Sequence, residues 1–159
     1  MMAYTDKFQP ADELISEINT LKSHISPVAL PKFTGAISVS AVTSYELAIK
    51  EIFIDYASNK HHLFGSFIQN YLSRLNGRIE ISDLKKEIKK FDNTLAINFE
   101  TKIREVEQVE PSVRSCYQNL IQGRHSYVHA NRINLSYDEC IQDYELGKKI
   151  IGALHVVMV

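Results

Sequence analysis

A chain of 159 residues with 45% apolar and 23% charged side chains is sized and composed for one globular domain, which excludes a disordered segment and any need for a disulfide or metal staple. A formal net charge of −1 excludes a long basic track for nonspecific nucleic-acid binding and leaves room only for a compact phosphate site. Met1 to Pro10 lacks the apolar stretch of a secretory leader, and no run reaches the roughly 18 apolar residues of a membrane span, so a cytoplasmic protein with no membrane partner is expected.

Helical periodicity dominates, and no stretch alternates with period two between hairpin turns, so the fold is predicted to be all-α. A single domain over 1–159 is expected, with 1–10 as a flexible N-terminal tail. The first helix is predicted from Ala11 to Ile25, with Leu14, Ile18 and Leu21 on one face and Pro27 ending it. Ser26 to Gly35, which holds Pro27, Pro31 and Gly35, reads as a connecting loop. A long helix follows from Ser38 to Ser58, with the stripe Val42, Tyr45, Ile49, Ile52, Phe53 and Tyr56, and Glu46 sits inside that stripe. A helix from His62 to Leu75 stops at Asn76-Gly77. Ser82 is expected to cap Asp83 to Phe91, whose lysines form a solvated face. Thr94 to Val106 is another helix, and Pro111, at its tolerated first position, starts the helix that runs to His129. The last helix opens with a capping box, Ser136-Tyr137-Asp138-Glu139, and turns Cys140, Tyr144, Gly147, Ile151 and Leu154 inward. Its end, Val156 to Val159, is apolar on every side and is expected to be covered by this subunit or a partner. Cys116 and Cys140 have no C-x-x-C spacing and read as reduced, small apolar core residues. These segments predict a helical bundle of about five to six helices.

On the helix from Pro111, Val113, Tyr117, Leu120, Ile121 and Val128 share a stripe, and Arg124 falls in its middle. A guanidinium there requires an anion, because an isolated buried charge costs several kcal/mol or more. The carboxylate of Glu46, on the stripe of the other long helix, has the right sign to pair with it, as does a ligand phosphate. Taken alone, these two charges read most simply as an architectural ion pair that fixes helix register. His129 lies five residues beyond Arg124, about 7.5 Å along the axis and about 140° around it. The two side chains therefore meet only where the helix ends near Ala130-Asn131, or around a ligand in a cleft. His125 and His129, at i and i+4, share a flank and could form half of a metal site. Ser126 stands where H-E-x-x-H would place its glutamate, and no third ligand is close in sequence, so neither metal nor cofactor is expected.

Arg124-His125-x-x-x-His129 resembles the R-x4-H signature of the HEPN superfamily, all-α domains that include many metal-independent ribonucleases. The setting is similar too: an apolar helix leads into the motif, a polar loop follows from Ala130 to Leu135, and a capped amphipathic helix closes the domain. Tyr45-Glu46-Leu47-Ala48-Ile49-Lys50 resembles the helix of several bacterial HEPN groups that bears an acidic residue near its start. Spacing across residues 11 to 157 is most like that of the RiboL-PSP or MAE-type HEPN groups.

The resemblance implies a homodimer whose motif-bearing helices face each other across a composite cleft. It implies that His129 acts as general base or acid on a ribose 2′-hydroxyl, and that Arg124 holds the scissile phosphate. Glu46 would then orient Arg124, and His125 would contact phosphate or carry a second proton. RNA would supply the nucleophile and leave a 2′,3′-cyclic phosphate, whereas DNA would be spared. Tyr127 reads as a packing residue. Some toxin members carry tyrosine two residues after the histidine, where this chain has Asn131, so modification by a partner nucleotidyltransferase is not implied at this position. A toxin–antitoxin or antiphage role is implied, with RNA as substrate and an antitoxin or defence-system protein as a further partner. Two other readings fit the residues: a noncatalytic HEPN-like dimer that binds RNA, a nucleotide or a protein, and a plain helical interaction module in which Glu46 pairs with Arg124 and backbone satisfies His129.

Overall fold

The structure is a computed structural model that describes residues 3–73 and 76–159. Its α-helices are α1 (Gln9–Leu21), α2 (Leu30–Lys60), α3 (His62–Leu72), α4 (Ile81–Lys89), α5 (Asn93–Val109), α6 (Val113–Ala130) and α7 (Tyr137–Met158). Among the described residues the chain is all-α, with seven helices rather than five to six. None of the described helices is long and apolar enough to cross a membrane.

The centre of the bundle is a stack of tyrosines. Tyr45 of α2 lies between Tyr117 of α6 and Tyr144 of α7, at centroid distances of 5.4 and 5.7 Å, and the rings are at most 1% exposed. A buried phenol needs a partner for its hydroxyl. Tyr45 donates to the carbonyl of Tyr144 at 2.6 Å, Tyr117 to that of Ile79 at 2.6 Å, and Tyr144 to the Asp12 carboxylate at 2.9 Å. The stack therefore fixes α2, α6 and α7 and anchors both α1 and the Asn76–Glu80 loop.

Several boundaries differ from the sequence reading for identifiable reasons. Tyr4–Phe8, expected in a flexible tail, forms a 3-10 helix, because Phe8 buries itself against the edges of Tyr45 and Tyr144 and Tyr4 stacks on His155 at 4.4 Å. The expected loop Ser26 to Gly35 is largely helical: α2 begins at Leu30 and accepts Pro31 in its first turn. Gly35 lies inside α2 because the ring of Tyr127 occupies the space a β-carbon would need. α3 ends at Leu72, and the expected end at Leu75 lies outside the described residues. Ser82 is not a cap: α4 starts two residues earlier than expected, at Ile81, with Glu80 as its N-cap. Asp92 caps α5 by accepting from the Thr94 N–H at 2.6 Å.

The expected capping box of α7 is present, with the Glu139 N–H donating to Ser136 Oγ at 3.2 Å and the Ser136 N–H to Glu139 Oε2 at 2.8 Å. Val128, expected to face inward, is 52% exposed, because the last turn of α6 stands clear of the core. At the C-terminus Val157 and Met158 pack inward, whereas Val156 and Val159 are exposed.

Candidate active site

α6 runs antiparallel to α2, since Tyr117 stacks on Tyr45 while Tyr127 covers Gly35. Helical side chains lean toward the N-terminus of their own helix. Arg124 and Glu46, on antiparallel neighbours, therefore reach toward one level of the bundle. The Asn76–Glu80 loop closes over that level. Its Ile79 is buried beneath the hydroxyl of Tyr117, and Lys50 Nζ donates to Asn76 Oδ1 at 3.2 Å. Gly77 takes a left-handed φ of 78°, a conformation glycine adopts without steric cost. A β-carbon there would lie 3.9 Å from Arg124 Nη1 and 4.0 Å from Glu46 Oε1. Both charged groups thus border one small space at the edge of the core.

They do not form the expected direct pair. No Glu46 oxygen is within ion-pair or hydrogen-bond distance of Arg124, and both Glu46 Oε1 and Arg124 Nε are buried with no hydrogen-bond partner. Opposite charges at one level did not suffice, although both side chains border the space beside Gly77. Both residues are half-buried rather than central to the core. No described carboxylate pairs with Arg124, which leaves the guanidinium available to an external anion.

The histidines lie at the free end of the same helix. His125 and His129 are exposed, with ring centroids 4.4 Å apart and planes tilted by 50°. α6 ends directly after them: Asn131 takes φ 51°, and its N–H donates to the carbonyl of Tyr127 at 2.9 Å. The helix thus stops where the sequence placed its end, yet within one chain His129 pairs with His125 and Arg124 points toward Gly77. Among the described residues no third His, Cys, Asp or Glu joins the two histidines in a metal-holding cluster. Tyr127 packs against Gly35, in keeping with its reading as a packing residue.

The sequence reading missed the place of Gly77 in this site and a buried acid elsewhere in the bundle. Gly77 entered it only as a helix stop. Asp143, which it did not single out, is 5% exposed on α7, and its Oδ2 has no hydrogen-bond partner. Burial raises its carboxyl above the ordinary value, with the charge of Glu139 adding to the rise and contacts from Cys116 and Asn119 opposing it. Its place three residues after Cys140, beside Tyr144, is the signal that could have revealed it. Burial also pushes the Cys116 thiol up to about 11 and the Cys140 thiol to about 12, so both free cysteines remain protonated core side chains.

The comparisons with known proteins bear on this arrangement. No curated protein and no solved structure gives a significant match. The family model described as RiboL-PSP-HEPN matches residues 6–158. That span begins in the turn that carries Phe8, takes in every helix of the bundle and closes on the last turn of α7. With nearly the whole chain matched, this protein belongs to the RiboL-PSP-HEPN family of the HEPN superfamily.

Proposed function

We propose that this protein is a metal-independent endoribonuclease that acts as a homodimer in a toxin–antitoxin or antiphage system. HEPN domains are often ribonucleases or RNA binders, which supplies the class. The observation that carries the reading within this chain is an uncompensated guanidinium at the core edge of α6, on the same helix as two exposed imidazoles in its last turns. Arg124 offers N–H donors to a phosphate whose charge grows during reaction, and an exposed imidazole is suited to general acid–base chemistry.

In the proposed reaction His129 takes the proton of a ribose 2′-hydroxyl, the 2′-oxygen forms a bond to phosphorus, and the bond from phosphorus to the 5′-oxygen breaks. The departing oxygen takes a proton from the second imidazole, His125 or the partner's copy of the motif. The products are a 2′,3′-cyclic phosphate and a 5′-hydroxyl. Because Arg124 and His129 occupy different flanks of α6, a facing copy of the helix is the simplest way to put a guanidinium and an imidazole on one phosphate. Exposed Val128, four residues from Arg124, is an apolar contact suited to such a facing helix.

Single-stranded RNA incubated with the protein in EDTA should be cleaved to cyclic-phosphate ends, whereas DNA of the same sequence should be left intact. Arg124→Ala and His129→Ala should each lower the rate at least a hundredfold with the helical circular dichroism unchanged. Full activity in either variant would remove the motif from the mechanism. A second reading, a noncatalytic HEPN-like dimer that binds RNA, a nucleotide or a protein, is favoured by the separation of Arg124 from His129 within the chain. Retained RNA affinity with no turnover in the unmodified protein would establish it.

A further inference from the structure

A groove of about 370 Å³ opens beside the end of α6, walled by Val28, Pro31 and Lys32 from the start of α2 and by Tyr127, Asn131 and Arg132 from the other side. Three features bear on what it could hold. The first is its charge. Lys32 and Arg132 have no carboxylate partner among the described residues, a condition they share with Lys50, Lys60, Arg78 and Lys89, so both are free to meet an anion. The second is an aromatic wall. The ring of Tyr127 is held against the backbone at Gly35, so it presents a fixed surface and loses little freedom on binding.

The third feature is position. At 100° per residue, Tyr127 and Asn131 lie on one side of Arg124 around the α6 axis, and His125 and His129 lie on the other. The groove therefore opens at the end of the motif helix, on the flank of α6 away from the imidazoles. The volume is within the range of sites that hold a small organic group.

We infer that this groove, formed by Lys32, Tyr127 and Arg132, is the subsite that holds the nucleotide next to the scissile phosphate of a single-stranded RNA. The inference rests on the ribonuclease reading for its substrate class. The base lies against Tyr127, because stacking on a phenol ring is available to any unpaired base. The adjoining phosphate lies between Lys32 and Arg132. A duplex, whose bases are already stacked on each other, cannot place one there, so the groove selects single strands.

The test uses the whole chain and a fluorescein-labelled 2′-O-methyl oligoadenylate, which cannot be cleaved because its attacking hydroxyl is blocked. Fluorescence anisotropy across a salt series reads affinity and the number of phosphate contacts. The double variant Lys32→Ala/Arg132→Ala changes only exposed side chains and should bind at least tenfold more weakly, with a salt slope shallower by about 1.4, as expected when two single-strand phosphate contacts are lost. Tyr127→Leu, which keeps an apolar side chain over Gly35, should lose roughly tenfold in affinity with the slope unchanged.

Wild-type affinity in both variants would overturn the subsite, as would failure of the unmodified protein to bind the probe. These results are separable from the ribonuclease reading. Normal cleavage of RNA by the groove variants, combined with unchanged binding, would remove the groove alone. Probe binding that depends on the groove, in a protein with no cleavage, would remove the enzyme and keep the groove.

Discussion

Arg124 carries a desolvated Nε that nothing among the described residues accepts from, and a Glu46 oxygen that borders the same space beside Gly77 is in the same condition. An unpaired buried polar group costs about 1–3 kcal/mol, and a protein bears that cost most readily where a ligand can relieve it. Arg124→Met keeps much of the packing volume and removes the orphan donor. It should raise stability by about 1 kcal/mol, or roughly 2–4 °C in the melting temperature for a domain of this size, and abolish cleavage. Differential scanning fluorimetry alongside the EDTA cleavage assay reads both. A lower melting temperature would mean that Arg124 supports the fold through contacts its geometry does not reveal. An ordinary surface ion pair shows neither effect, because truncating it changes stability little.

At the scale of elements, the helices are tied together by different means on the two sides of the bundle. On the α2, α6 and α7 side the tie is the tyrosine stack, which titrates far above neutral pH because burial raises its phenols. On the α4, α5 and α6 side the tie is Glu100 of α5, which accepts from Arg114 of α6 at 2.6 Å and from Lys85 of α4 at 3.0 Å. The Arg114 guanidinium, with further help from Lys85, holds the Glu100 carboxyl at about 2, although partial burial opposes the shift. A depressed acid contributes its stability above the unfolded value, near 4.5, and loses it as pH falls toward about 2. Glu100→Gln should therefore destabilise the protein by about 2 kcal/mol at pH 7, and the difference should vanish in urea melts run near pH 2. A constant difference across that window would assign the effect to packing rather than charge.

For the whole molecule, the separation of Arg124 from His129 on one helix is the feature with the largest consequence. If two chains compose each site, one intact guanidinium and one intact imidazole can be supplied by different copies. Arg124→Ala and His129→Ala, each inactive alone, should recover measurable cleavage when refolded together so that mixed dimers form. Mixed dimers that remain inactive would place both groups of a working site in the same chain. Such complementation has no counterpart in a monomeric helical module.

What the sequence determined by itself is everything that depends on local spacing. The 3.6-residue period placed α5, α6 and α7 close to their observed positions, and Ser136 and Glu139 marked the start of α7 because their capping bonds lie within one turn. The R-x4-H pattern pointed to the family for the same reason, as a local pattern on one helix. The tertiary structure decided what depends on distant partners. That Gly35 is a helix residue facing an aromatic ring rather than a loop glycine shows only in its contact with Tyr127, more than ninety residues away, whose ring occupies the space a β-carbon would need. Whether Glu46 pairs with Arg124 was settled by how the two long helices place their side chains, and whether the first residues are loose was settled by the aromatic surface waiting for Phe8. Charge sign and period are properties of one segment. Contact is a property of all the segments that compete for the same space, and no single stretch of sequence contains that information.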